Sequence, residues 1–118
     1  ATNPAQLPNL AMEIAHKVGA TKAGAYDVGA ACSGFSYGLA AASEAVLAGD
    51  SQVAVIVGSE RMSDFVSRYD RGTAFLFGDG AGAFVVTKSD DFAIASPVWG
   101  SDGSINSGVI IDPIGIQP

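Results

Sequence analysis

A chain of 118 residues, 48% hydrophobic and 15% charged, has the size of one small domain and enough apolar content to exclude disorder. Its net charge of −6 argues against a nucleic-acid partner, which demands a basic face, and it holds no apolar run of about 18 residues that would span a membrane. The single cysteine excludes an intrachain disulfide and fits a reducing, cytoplasmic setting.

The first expected element is a helix. Pro4 and Pro8 suit an approach and a first turn, Leu7, Ala11, Ile14, Ala15 and Val18 share one face, and Gly19 closes it. The opening Ala1-Thr2-Asn3-Pro4 has neither the charged nor the apolar stretch of a secretory signal. His16, the only histidine, falls roughly opposite the apolar face at about 100° per residue. It reads as a surface residue, neither a base nor a metal ligand.

Residues 25–28 read as a short strand, Gly29-Ala30-Ala31 as a tight turn of small residues, and Ser33 onward as a helix. Phe35, Leu39, Ala42 and Val46 recur three or four apart, and Gly49-Asp50 stops the pattern. Cys32 stands at the junction. A thiol there meets the unpaired N–H groups and positive pole of the helix, which favour the nucleophilic thiolate. A lone cysteine in an apolar stretch is also commonly an inert core residue, and spacing leaves that alternative open. Residues 52–58, with the core Val53-Ala54-Val55-Ile56-Val57, read as a parallel strand covered on both faces. Strand, helix and strand then form a right-handed βαβ unit, with Cys32 at a strand's carboxyl end, where such sheets carry their sites.

Residues 59–72 read as a polar loop or short helix holding Arg61, Arg68 and Arg71, half of the six cations. That cluster suits phosphate, or is simply a solvated loop. The apolar residues 73–77 lead into Gly78-Asp79-Gly80-Ala81-Gly82. Ala83 stands where a dinucleotide loop needs its third glycine, so a tight glycine-built turn is the better reading. Residues 82–87 and 92–99 read as an antiparallel hairpin across Lys88-Ser89-Asp90-Asp91. The remainder is rich in Gly, Ser, Asp and Pro around Val109-Ile110-Ile111. No serine triad is supported, and one cysteine with one surface histidine makes no zinc site.

The stretch Asp27-Val28-Gly29-Ala30-Ala31-Cys32-Ser33-Gly34-Phe35 resembles the nucleophile segment of the type III 3-oxoacyl-(acyl-carrier-protein) synthases of the thiolase superfamily. Asp70-Arg71-Gly72-Thr73 and Phe77-Gly78-Asp79-Gly80-Ala81-Gly82-Ala83 resemble a second signature of that family, and Asp102-Gly103-Ser104 a third. The motifs stand in the family's order over nearly the whole chain. The resemblance implies an α/β fold, part of a thiolase-like fold with a βαβ unit in a mixed sheet. Residues 1–118 would be a partial N-terminal half of the duplicated domain, with no separate second domain.

The resemblance also implies roles. Cys32 matches the nucleophile that takes an acyl group from acyl-coenzyme A as a thioester and condenses it with malonyl-acyl carrier protein, with loss of CO₂. Arg71 matches the arginine packed against the adenine end of coenzyme A, where a planar guanidinium stacks well. Phe77 and Val109 match positions lining the acyl pocket, and the Cys32 N–H would be one oxyanion-hole donor. The implied partners are acyl-coenzyme A, malonyl-acyl carrier protein and a second copy in a homodimer, its interface near the strand at 52–58. The coenzyme A thioester is a substrate; no cofactor or metal is implied. The family's catalytic histidine and asparagine have no match here, and Asn106 does not fit their motif. The expectation is therefore an internal piece of such an enzyme, able at best to acylate itself. Chalcone-synthase-like and hydroxymethylglutaryl-coenzyme A-synthase-like enzymes would share the cysteine, but Arg71 and the 78–82 glycines favour the type III synthase. A reading from another class is a non-catalytic interaction module with Cys32 buried.

Overall fold

The computed structural model describes Thr2 and residues 7–105. Val109, the 109–111 apolar run, Asn106 and Pro4 lie outside the described residues. The fold is α/β: among the described residues it has two helices, a two-stranded sheet and three short 3₁₀ turns.

Helix α1 (Leu10–Lys17) half-buries Ala11, Ile14 and Ala15, as the spacing predicts. Leu7 and Val18, expected on the same face, fall outside the helix and are 79% and 69% exposed. Gly19 at φ +80° ends α1 through two backbone bonds, Gly19 N–H to the His16 carbonyl and Ala20 N–H to the Ala15 carbonyl. On the solvent side Glu13 pairs with Lys17 at 2.7 Å, one turn away. His16 is exposed, as expected.

Residues 24–30 form no helix or strand, and no strand pairs with them among the described residues. The strand expected at 25–28, and with it the βαβ crossover, is thus not found among the described residues. A strand needs a neighbour to take up its ladder of backbone polar groups. Here the segment's tie is instead a side chain, Asp27, bonded to the start of α1.

Helix α2 (Gly34–Ala48) covers one face of the sheet. Its Leu39, Ala42 and Val46 form the core with Ala54, Ile56 and Val86, which confirms the predicted helical face. Phe35 is 40% exposed yet packs on Phe84 with ring centroids 5.1 Å apart. Gly38 lets the backbones approach: a Cβ there would lie 3.0 Å from the Ile56 Cγ2 methyl. Gly49, at φ +83°, turns the chain out of α2.

Strand β1 (Val53–Arg61) pairs antiparallel with β2 (Asp79–Thr87), from Val53 opposite Thr87 to Arg61 opposite Asp79. Among the described residues no parallel partner for residues 52–58 is found. Their continuous apolar run reflects two apolar faces, one under α2 and one bearing the exposed Val53, Val55, Val57 and Val85. The glycine-built turn expected at 78–82 is a strand from Asp79 onward. Gly82 lies opposite Gly58 and Gly80 opposite Glu60. Strand interiors disfavour glycine because it brings no side chain to pack, which is why the run reads as a turn. The expected hairpin of 82–87 with 92–99 is likewise absent. β2 returns to β1 across residues 62–78, while residues 92–99 form no strand and Trp99 stacks on Tyr37 of α2, centroids 4.6 Å apart.

Candidate functional site

The site is built around the entry to α2. Residues 31–33 form one 3₁₀ turn, closed by the Ser33 N–H donating to the Ala30 carbonyl at 3.0 Å, and α2 follows at once. Ala31 sits at φ +44°, in the left-handed region that side chains other than glycine's enter at a cost of roughly 1–2 kcal/mol. This strained residue directly precedes Cys32, and strain of this kind concentrates where a side chain must be aimed. No side chain caps the start of α2; the 3₁₀ turn itself takes up the N–H groups of Ser33 and Gly34 on the Ala30 and Ala31 carbonyls. Cys32 is free and exposed, which contradicts the buried-cysteine reading.

The arm that carries Cys32 is fixed from behind by Asp27. Its Oδ1 accepts the Ala11 N–H at 2.8 Å and its Oδ2 accepts the Leu10 N–H at 3.0 Å. Asn9, the residue before α1, contributes no side-chain cap, so the Asp27 carboxylate fills that role from 17 residues away. A negative group is favoured there by the orphan donors and the helix dipole. Sequence reasoning missed this residue. Its signal was an acidic group near the junction with no chemical duty, and nothing local ties it to a helix earlier in the chain.

Residues 62–78 carry the other candidates. Arg71 is exposed on a turn held by Asp70, whose Oδ1 accepts the Gly72 N–H at 2.8 Å and whose Oδ2 accepts the Thr73 hydroxyl at 2.5 Å. Phe77 lines a shallow depression of about 320 Å³ with Ser63, Val66, Arg68, Ala74, Gly78 and Asp79. Arg71 and Cys32 do not line it. The three arginines therefore separate: Arg61 pairs with Asp64 at 3.0 Å, Arg68 meets the depression and Arg71 faces solvent. Asp79 accepts both the N–H of Ser63 (2.8 Å) and its hydroxyl (2.6 Å). Among the described residues no group of three His, Cys, Asp or Glu side chains is placed to hold a metal ion. No helix among them is long and apolar enough to cross a membrane.

The family model of 3-oxoacyl-[acyl-carrier-protein (ACP)] synthase III matches residues 26–103, from the arm before Cys32 to the third motif. The chain belongs to that family. Among synthase III relatives, the β-ketoacyl-[acyl-carrier-protein] synthase III of Streptomyces glaucescens is 49% identical over 98 residues, which are 83% of this chain and 29% of that protein. Synthase III 1 of Streptomyces coelicolor is 50% identical over the same share of each. Among solved structures, the priming β-ketosynthase of the R1128 polyketide biosynthetic pathway superposes with a TM-score of 0.84 at 46% identity, over 88% of this chain and 31% of that one. The synthase III of Thermus thermophilus superposes with a TM-score of 0.82 at 42% identity, over 88% and 32%. These likenesses bear out the α/β, thiolase-like reading. The chain spans under a third of the length of these relatives.

Proposed function

We propose that these residues form the nucleophile-bearing part of a longer condensing enzyme, a partial N-terminal half of its duplicated domain, which starts acyl chains for fatty-acid or polyketide synthesis. The observation that carries this reading is Cys32: exposed, directly after a strained residue and in the 3₁₀ turn that leads into α2, inside the family match. The Cys32 thiolate attacks the carbonyl of an acyl-coenzyme A. The new C–S bond forms, the tetrahedral oxyanion collapses, and coenzyme A leaves as a thiolate that takes up a proton. The Cys32 N–H is one donor to that oxyanion. Malonyl-acyl carrier protein then loses CO₂, its carbanion attacks the acyl carbon, and the Cys32 sulfur is released as 3-oxoacyl-carrier protein forms.

In this reading Arg71 stacks on the adenine end of coenzyme A, and Phe77 and Val109 line the acyl pocket. The exposure of Arg71 and the placement of Phe77 in a depression support those two roles. The thioester is substrate, and no separate cofactor enters the scheme. Residues that promote decarboxylation come from outside this sequence, the enzyme works in the cytoplasm, and it acts as a homodimer. The test is the intact mass of the enzyme before and after incubation with acetyl- or isobutyryl-coenzyme A. We expect the gain of one acyl group, absent after Cys32→Ala; no gain in the wild-type enzyme overturns the proposal.

A further inference from the structure

One side chain closes the base of the connection that carries Arg68, Arg71 and Phe77. β1 ends at Arg61 and β2 begins at Asp79, and these two residues are register partners. From that last pair the Asp79 carboxylate reaches across to Ser63, in the 3₁₀ turn Met62–Asp64, and takes both of its donors, the N–H at 2.8 Å and the hydroxyl at 2.6 Å. A single bond would leave a pivot, whereas two bonds to the two oxygens of one carboxylate fix orientation as well as distance. Arg61 is meanwhile drawn to Asp64 at 3.0 Å, so both residues of the terminal pair are engaged with the same turn. Ser63 and Asp79 stand on the wall of the depression that also holds Arg68 and Phe77.

We infer that Asp79 is a positioning residue for acyl-coenzyme A: by clasping Ser63 it sets where residues 62–78 present their arginines and Phe77, without itself touching substrate. This rests on the proposed role of Arg71. The clasp is solvent-exposed, so its bonds compete with water. Its loss therefore changes the placement of the connection before it changes the fold, which is held elsewhere by Ala42, Ile56 and Val86. Asparagine at position 79 preserves size but keeps one acceptor, and it turns an NH₂ group toward one of the two Ser63 donors.

The experiment is the initial rate of Cys32 acylation against acetyl-coenzyme A concentration in the full-length enzyme. It compares wild type, Asp79→Asn, Ser63→Ala, Arg71→Ala and the Asp79→Asn/Arg71→Ala pair. Asp79→Asn is expected to raise KM roughly three- to tenfold, the effect of losing one charge-assisted hydrogen bond, with kcat within about twofold. Ser63→Ala keeps the backbone bond and gives a smaller rise, and it serves as the test should Asp79→Asn fail to fold. In the Arg71→Ala background Asp79→Asn adds little, because the group it places is gone. Full additivity of the two, or a fall in kcat with KM unchanged, overturns the inference. So does a silent Asp79→Asn beside a raised KM for Arg71→Ala, which leaves the Arg71 role standing. A silent Arg71→Ala removes the Arg71 role itself and is read from that single variant.

Discussion

The aspartates of the matched motifs share one occupation: each accepts two donors. Asp27 takes two backbone N–H groups of α1, and Asp70 the Gly72 N–H and Thr73 hydroxyl. Asp79 takes both donors of Ser63, and Asp102 both donors of Ser104. The Thr73 hydroxyl, then the Gly72 N–H, holds the Asp70 carboxyl below its ordinary value of 3.8. The hydroxyl and then the N–H of Ser63 do the same for Asp79, and those of Ser104 for Asp102. Each bond favours the charged form. A carboxyl whose folded pKa is depressed contributes stability above its unfolded value, and that stability is lost as pH falls through the lower folded value. These turns should therefore persist at pH 4 and loosen only in stronger acid. Following the Asp70 carboxyl carbon by NMR, we expect a midpoint below 3.8 that moves up in Thr73→Val; a wild-type midpoint at or above 3.8 contradicts the geometry.

At the scale of elements, the closest fit is between α2 and β1. The Gly38 backbone lies where a Cβ would come within 3.0 Å of the Ile56 methyl, so Ile56 would have to give way. Gly38→Ala gains about 1 kcal/mol of helix propensity, which roughly offsets that crowding. Gly38→Val adds two methyl groups and should cost about 1–3 kcal/mol as overpacking. Equilibrium unfolding of both variants checks this, and a Gly38→Val as stable as wild type would place α2 further from the sheet. The sequence made α2 legible because Leu39, Ala42 and Val46 repeat at the helical period, and it made β1 legible because five β-branched or small apolar residues run together. It hid β2, because Gly80 and Gly82 give a strand the composition of a turn. It also hid the β1–β2 partnership, because residues 82–87 had a nearer apolar run to pair with. Cys32 could be read at the head of a helix from the small residues around it. The Asp27 anchor and the Ser63–Asp79 clasp could not, since each joins residues 16 or 17 apart and depends on how the elements are packed.

At the scale of the whole molecule, the chain exposes 9835 Å². A compact monomer of 11.9 kDa exposes roughly 6,000 Å². Apolar side chains share in this exposure, with Val53, Val55 and Val85 each more than half exposed on the sheet face away from α2. Such a face demands cover. Residues 1–118 expressed alone should therefore self-associate, while the register pair Val55→Lys/Val85→Lys should sediment closer to a monomer. Equal sedimentation of the two would show that this face does not drive association. The Asp27 anchor has a reach beyond its own bonds, because the amide hydrogens of Leu10 and Ala11 are locked by a group on the arm that carries the nucleophile. The opening turn of an eight-residue helix ordinarily exchanges its amides with solvent quickly. Here slow exchange at those two amides becomes a clock for the arm: each time the arm lifts away they are released to deuterium, and Asp27→Ala should set them exchanging freely.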